Sequence, residues 1–223
     1  MSVVCLLVAA TGGLHSLAAQ SRSTTVTAGI AYAAPIGALG TYLAPAWGVN
    51  GTLAWRYPTR ALGLRVDAMY LASPFRAADR RDTLLTLPAS VLVSSGGSRF
   101  LLSAGPQLML GRGARRVTAH AAAGVAFAST VMSLAGLGTD DRYTRRKRYT
   151  DLAPALQTGA GVSLRLARGI AVDGAVSHAI LGPTNYGLDG HIRVGSISGP
   201  YWQPRKRWSH ILSARLGVLL GQS

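Results

Sequence analysis

The densest run of chemically capable side chains is Asp140-Asp141-Arg142-Tyr143-Thr144-Arg145-Arg146-Lys147-Arg148-Tyr149. Arg142, Arg145, Arg146, Lys147 and Arg148 so close together suit phosphate groups, which guanidinium forks grip bidentately. A solvated loop kept exposed by its own charge explains the same letters. A second run holds Tyr201, Trp202, Arg205, Lys206, Arg207 and Trp208, and aromatics beside cations suit a membrane-interface anchor as well as a ligand site. Signs of catalysis are thinner. Ser177-His178 offers a nucleophile beside a base, but neighbouring strand residues face opposite sides, and the chain has no Glu to orient the imidazole. Asp140, Asp141 and His191 lie in the expected outer loops. His120 fits an interior hydrogen-bonding role and His210 a position near an interface. No spacing resembles a metal site or a phosphate-cradling glycine loop, so no metal and no cofactor is expected.

Positioning these groups falls to strands. From Leu152 to Leu166 one parity carries Leu152, Leu156, Ala160, Val162, Leu164 and Leu166; the other carries Ala153, Gln157, Gly159, Gly161, Ser163 and Arg165. That is the period of two of a β-strand. After Ala167-Arg168-Gly169 the pattern resumes, with Ile170, Val172, Val176 and Ile180 opposite Ala171, Asp173, Ala175 and Ser177. The unit is a hairpin whose arms match the ~9–11 residues of a tilted strand crossing a bilayer.

Similar runs fall at about 24–34, 47–57, 62–72, 99–110, 117–131 and 209–220, with aromatics near both ends of the second, as in an interfacial girdle. A further run, Thr83–Ser95, alternates but contains Pro88, which cannot donate to a ladder. Without it the connections alternate long and short: 35–46, 58–61, 73–98, 111–116, 132–151, 167–169 and 181–208. The expectation is therefore an all-β fold, an eight-stranded antiparallel up-and-down transmembrane β-barrel, with Thr83–Ser95 in an extended arm of the second outer loop. A ten-stranded barrel, with a strand hidden at His191–Ser198, is the alternative.

Composition agrees with a membrane location. Of 223 residues only 14% are charged, 27 are Gly, and Lys+Arg exceed Asp+Glu by 23 to 8, a net charge of +15. Mean hydropathy is +0.25. A soluble surface normally spreads Lys and Glu; this chain has two Lys and no Glu. The positive excess suits an anionic membrane surface or lipopolysaccharide phosphate, and no nucleic acid is expected. Met1–Ala19 reads as a signal peptide, apolar and then small-x-small at Ser16-Leu17-Ala18, leaving 20–223 as the barrel domain. Cys5, the only cysteine, would leave with it. The face opposite the apolar set is mostly Gly, Ala, Ser and Thr, with isolated Arg99 and a polar network of Arg56, Arg65, Asp67, Arg165, Asp173 and Arg215. Small residues with a few opposite charges suit a narrow, filled lumen. A soluble lipocalin-like barrel is the competing reading.

On Gln157-Thr-Gly-Ala-Gly-Val-Ser-Leu-Arg-Leu166 and Ile170-Ala-Val-Asp-Gly-Ala-Val176, with an inward acid at Asp173, the chain resembles the small outer-membrane β-barrels of the OmpA and OmpX type. The likeness spans essentially the whole mature chain. One departure is the ending Leu219-Leu220-Gly221-Gln222-Ser223, where such barrels usually carry a terminal aromatic. The resemblance implies a bacterial outer-membrane location, assembly by the barrel-assembly machinery, a monomer, and a non-enzymatic structural or surface-binding role in which the Arg-rich loops contact lipopolysaccharide. Two enzymatic relatives frame the alternative: lipid A deacylases, with a His/Ser pair and an acid, and omptin proteases, with Asp and His at the outer rim. A narrow pore through the lumen is a third reading.

Overall fold

The computed structural model describes residues 23–37, 43–56, 61–84, 87–111, 114–137, 144–195 and 199–221. The expected signal peptide lies outside them. Eight strands follow in chain order: β1 (Ser23–Ile36), β2 (Ala46–Arg56), β3 (Leu62–Leu84), β4 (Leu87–Leu110), β5 (Arg115–Leu137), β6 (Thr144–Ala167), β7 (Ile170–Gly195) and β8 (Gly199–Gly221). Each pairs antiparallel with the next, and β1 pairs with β8 from Thr25↔Gly221 to Ile36↔His210, which closes the barrel. Closure leaves no open edge through this region, the condition for placing backbone amides in hydrocarbon.

The short turns follow local chemistry. Ala167 pairs with Ile170, so Arg168-Gly169 makes a two-residue hairpin turn, and Gly169 adopts φ 76°, a left-handed conformation open to glycine at little cost. Gly111 plays the same part after β4, with φ 106°.

Alternation then sorts the side chains. Leu152, Leu156, Leu164, Leu166, Val176, Leu212, Leu216 and Leu220 point outward and are exposed, while Ala153, Gln157, Ser163, Ser177, Ser213 and Arg215 point inward and are buried. An exterior of exposed Leu, Val and Ile around the whole barrel is far more than a water-soluble surface tolerates in one patch. The competing soluble barrel needs the reverse arrangement. Trp47, Tyr32, Tyr70, Phe100, Phe127 and Trp208 stand exposed on the same outer face. Tyr32 and Trp47 pack 4.8 Å apart, and Tyr70↔Phe100 and Phe100↔Phe127 are direct cross-strand pairs, so the aromatics form a lateral row.

Away from the short turns the structure departs from the expected long loops. β3 to β8 run 23, 24, 23, 24, 26 and 23 residues, about twice what a bilayer requires. Most of 73–98, 132–151 and 181–208 is ladder: β3 and β4 pair out to Leu84↔Leu87, β5 and β6 to Ala135↔Thr144, and β7 and β8 to Gly195↔Gly199. Above the membrane both faces of a strand meet water, so hydrophobic alternation fades while backbone pairing continues. Thr83–Ser95 lies within the prolonged β3–β4 hairpin, and Pro88 sits beyond Ser90, where pairing of β4 with β5 begins. His191–Gly195 ends β7 and is no separate strand.

The prolonged strands do not stay in one wall. The described β6–β7 ladder spans Ala155↔Leu181 to Ala167↔Ile170 and goes no higher. Pro154 marks the split, since it cannot donate to a ladder, and Gly182 faces it so closely that a Cβ there would lie 2.7 Å from Pro154 Cδ. The outer end therefore divides into a β3–β6 sheet and a β7–β8 hairpin.

The lumen is filled in two zones. Toward the outer end it holds an apolar plug including Ala31, Met69, Leu71, Leu101, Leu181 and Ile211. Toward the short turns it is polar.

Candidate functional site

Two groups of polar side chains stand out, one in the lumen and one at the outer end. In the lumen, Arg65 and Asp67 are two apart on β3 and so share its inner face. Arg65 Nε donates to Asp67 Oδ2 at 2.6 Å and Nη2 to Oδ1 at 2.7 Å, a bidentate fork. Thr52 on β2, directly across from Asp67 in the ladder, donates its hydroxyl to Oδ1 at 2.6 Å. From β8, Arg215 Nη1 reaches Oδ1 at 2.9 Å. All three charged residues are buried, Asp67 to 2% exposure.

Beside this cluster runs a neutral chain. Ser103 donates to Gln157 Oε1 at 3.0 Å, Gln157 Nε2 donates to Ser177 at 3.0 Å, and Ser177 bonds Ser213 at 2.7 Å, linking β4, β6, β7 and β8. The alternation of the sequence assigns Gln157 and Ser177 to the inner face but gives no bond to either. Their signal is position: each sits on the inward parity of a strand otherwise lined with Gly and Ala.

Of the six residues expected to form one interior network, the structure brings together Arg65, Asp67 and Arg215. Asp173 is half-buried and accepts from Ser163 at 2.5 Å, with no ion pair to Arg215. Arg56 is half-buried near the short-turn mouth, with Nη1 3.6 Å from Met109 Sδ. Arg165 is exposed, its Nε 3.3 Å from the Ala167 carbonyl. Height along the strand separates them: parity puts a residue on the inner face but does not set its level. His120 is also corrected. It is buried as expected, yet neither ring nitrogen has a hydrogen-bond partner among the described residues.

At the outer end, β6 carries Arg145–Arg148 and β8 carries Arg205–Arg207, on either side of β7. These residues are strand rather than loop. Lys147, Arg148, Lys206 and Arg207 are exposed. Lys147 Nζ stands 5.1 Å from the Tyr149 ring centre, and Lys206 Nζ is 3.8 Å from Asp151 Oδ1, tying the β8 run to β6 across β7. The side chains of Arg145, Arg146 and Arg205, and the whole of Arg142, Asp140 and Asp141, lie outside the described residues, as does the side chain of His191.

The Ser177-His178 pair is separated by the strand pleat. Ser177 is buried in the lumen, whereas His178 points outward to stack on His210, Nε2 to Nδ1 at 3.2 Å and rings 5.3 Å apart. Across the ladder from His178 stands Thr158, on the same outward parity. No group of three or more His, Cys, Asp or Glu able to hold a metal ion occurs among the described residues.

These features define a membrane-spanning β-barrel: a closed sheet, an apolar exterior with an aromatic row, and a buried polar cluster in the lumen. Solved structures place it more narrowly. The chain is similar to a major outer membrane protein from Thermus thermophilus, with TM-score 0.53 and 12% identity over 91% of this chain and 100% of that one. It is similar also to Ail, the attachment invasion locus protein of Yersinia pestis, with TM-score 0.50 and 10% identity over 91% and 99%. No family model matches the chain, and no curated protein matches it. The likeness is one of fold: that of the small bacterial outer-membrane β-barrels.

Proposed function

We propose that this protein is a non-enzymatic, monomeric outer-membrane barrel that binds phosphate-bearing polyanions, lipopolysaccharide first among them, through the cationic ends of β6 and β8. The carrying observation is the convergence of two basic segments, far apart in sequence, on the outer end of one barrel, with Asp151 and Lys206 in contact between them. Their height suits the ligand. The cations stand beyond Trp208 and the aromatic row, where outer-leaflet headgroups carry their phosphates. Met1–Ala19 serves as its export signal, and the barrel-assembly machinery inserts it.

A catalytic role has less support. His178 is turned to the lipid and Ser177 to the lumen, so the pair cannot act on one substrate. A through-pore is opposed by the apolar plug above the lumen's polar cluster. The test is binding of lipopolysaccharide vesicles to the protein held in phosphatidylcholine nanodiscs. Each cation near an anionic surface contributes about 1 kcal/mol, so Lys147→Gln, Arg148→Gln, Lys206→Gln and Arg207→Gln together should weaken binding at least about a hundredfold and flatten its salt dependence. Unchanged binding by that variant overturns the reading. Lipid A deacylation by the wild type, abolished by His178→Ala, would replace it with the enzymatic one.

A further inference from the structure

The buried end of Arg215 is only half used. Its Nη1 donates to Asp67, but Nε and Nη2 have no acceptor among the described residues, although Arg215 is only 6% exposed. These two groups form the side of a guanidinium that binds a planar or spherical anion with two parallel bonds. Arg65 uses the same pair, Nε and Nη2, to hold Asp67. A fork of this kind left without an acceptor in a closed lumen is costly, because the donors have lost water.

The neighbouring groups leave that fork without an acceptor. Arg65 and Arg215 share the single carboxylate of Asp67. Asp173 lies within electrostatic range of Arg215 but is held by Ser163 and makes no ion pair with it. His120, 7% exposed, lies within range of Arg65, Asp67 and Arg215, and both its ring nitrogens lack partners among the described residues.

The lumen is hollowed at its short-turn end. A cavity of about 50 Å³ at that mouth is lined by Arg116, Arg165 and Ser163 among others. A smaller one of about 10 Å³ is lined by Arg56, Arg116 and Gln107. Among the described residues no carboxylate lines either. Gln107, whose Oε1 also lacks a partner among the described residues, is the ladder partner of His120. The apolar plug fills the lumen toward the outer end, on the other side of the polar cluster from this cationic mouth. A concave mouth lined with one sign of charge draws in the opposite ion.

We propose that the lumen holds one small monovalent anion, of chloride size, on the Nε–Nη2 edge of Arg215 with His120 as its second contact, taken up from the short-turn end. The site is independent of what the outer face binds. The experiment uses the whole barrel in detergent. Crystals grown in bromide should show one anomalous peak within hydrogen-bonding distance of Arg215 Nε and Nη2. In parallel, unfolding at fixed ionic strength should follow the anion: above saturation, each roughly tenfold rise in bromide raises the folded-to-unfolded ratio about tenfold, whereas gluconate, too large for the lumen, has no effect. Arg215→Lys keeps the charge and loses the fork, and should lose the bromide dependence; His120→Phe, which leaves the Asp67 contacts intact, should weaken it. An empty anomalous map at Arg215 in wild-type crystals, with stability set by ionic strength alone, overturns the proposal.

Discussion

Replacing Asp67 with asparagine removes one charge and almost no volume, and it tests whether the lumen is held by its ion cluster or merely filled by it. Asp67 accepts from Arg65 twice, from Thr52 and from Arg215, at 2.6 to 2.9 Å. Hydrogen bonds to charged groups contribute about 1.5–3 kcal/mol each, but these are not independent, because both guanidiniums lean on one carboxylate. The bound that applies is that for stripping one partner from a buried pair, about 3–5 kcal/mol. The substituted asparagine can still accept through its amide oxygen, so the loss belongs near the lower figure, about 3 kcal/mol, or roughly two decades in the folded-to-unfolded ratio. The assay is equilibrium denaturant unfolding of the full chain in lipid vesicles, read by tryptophan emission and by the heat-modifiable shift on a gel. A companion variant carrying Arg65→Met, Asp67→Leu and Arg215→Met removes all three charges and should recover most of the loss, since a buried ion pair is often no better than apolar packing. A loss below about 1 kcal/mol for Asp67→Asn, the scale of an exposed pair, refutes the reasoning: the cluster would then be as wet as the surface.

Two further predictions test other parts of the structure. Leu216 stands on the outer face at 56% exposure, and Leu216→Arg should cost about 2–4 kcal/mol in vesicles; near-neutral behaviour would mean that this face meets water. Gly159 lies between His120 and Ser177, where a Cβ would fall 2.6 Å from the imidazole Cε1, so Gly159→Ala should cost about 1–3 kcal/mol. Gly174, with nothing within 4 Å of an added Cβ, should accept alanine within about 0.5 kcal/mol in the same unfolding series. Equal effects at the two glycines would sink the claim that the lumen is packed at His120.

Sequence and structure contributed different things. The period-two pattern alone established the strands, their inner and outer faces and the tight turn at Arg168-Gly169, because each of these is decided within a few residues: a pleat alternates, and lipid selects the apolar parity. The count of eight followed from the rhythm of short and long connections. Alternation was weak above the membrane, where both strand faces are wetted, and the one run that kept it, Thr83–Ser95, carries Pro88, so the ladders continuing to Leu84, Leu137 and Gly195 read as loops. It was silent also on height. Arg56, Arg65, Asp67, Arg165, Asp173 and Arg215 share an inner parity, yet Asp67 meets Arg215, 148 residues away, and never Arg165. Closure of β1 on β8 decides that, since the stagger of strands around the barrel sets which inward residues lie at one level. The same stagger decided that the Nε–Nη2 fork of Arg215 meets no carboxylate among the described residues, that His178 finds His210 on the lipid side, and that two basic runs divided by β7 arrive at one rim. Lipid and backbone geometry act on each strand locally and are written in the sequence; the meeting of side chains across the lumen belongs to the closed sheet.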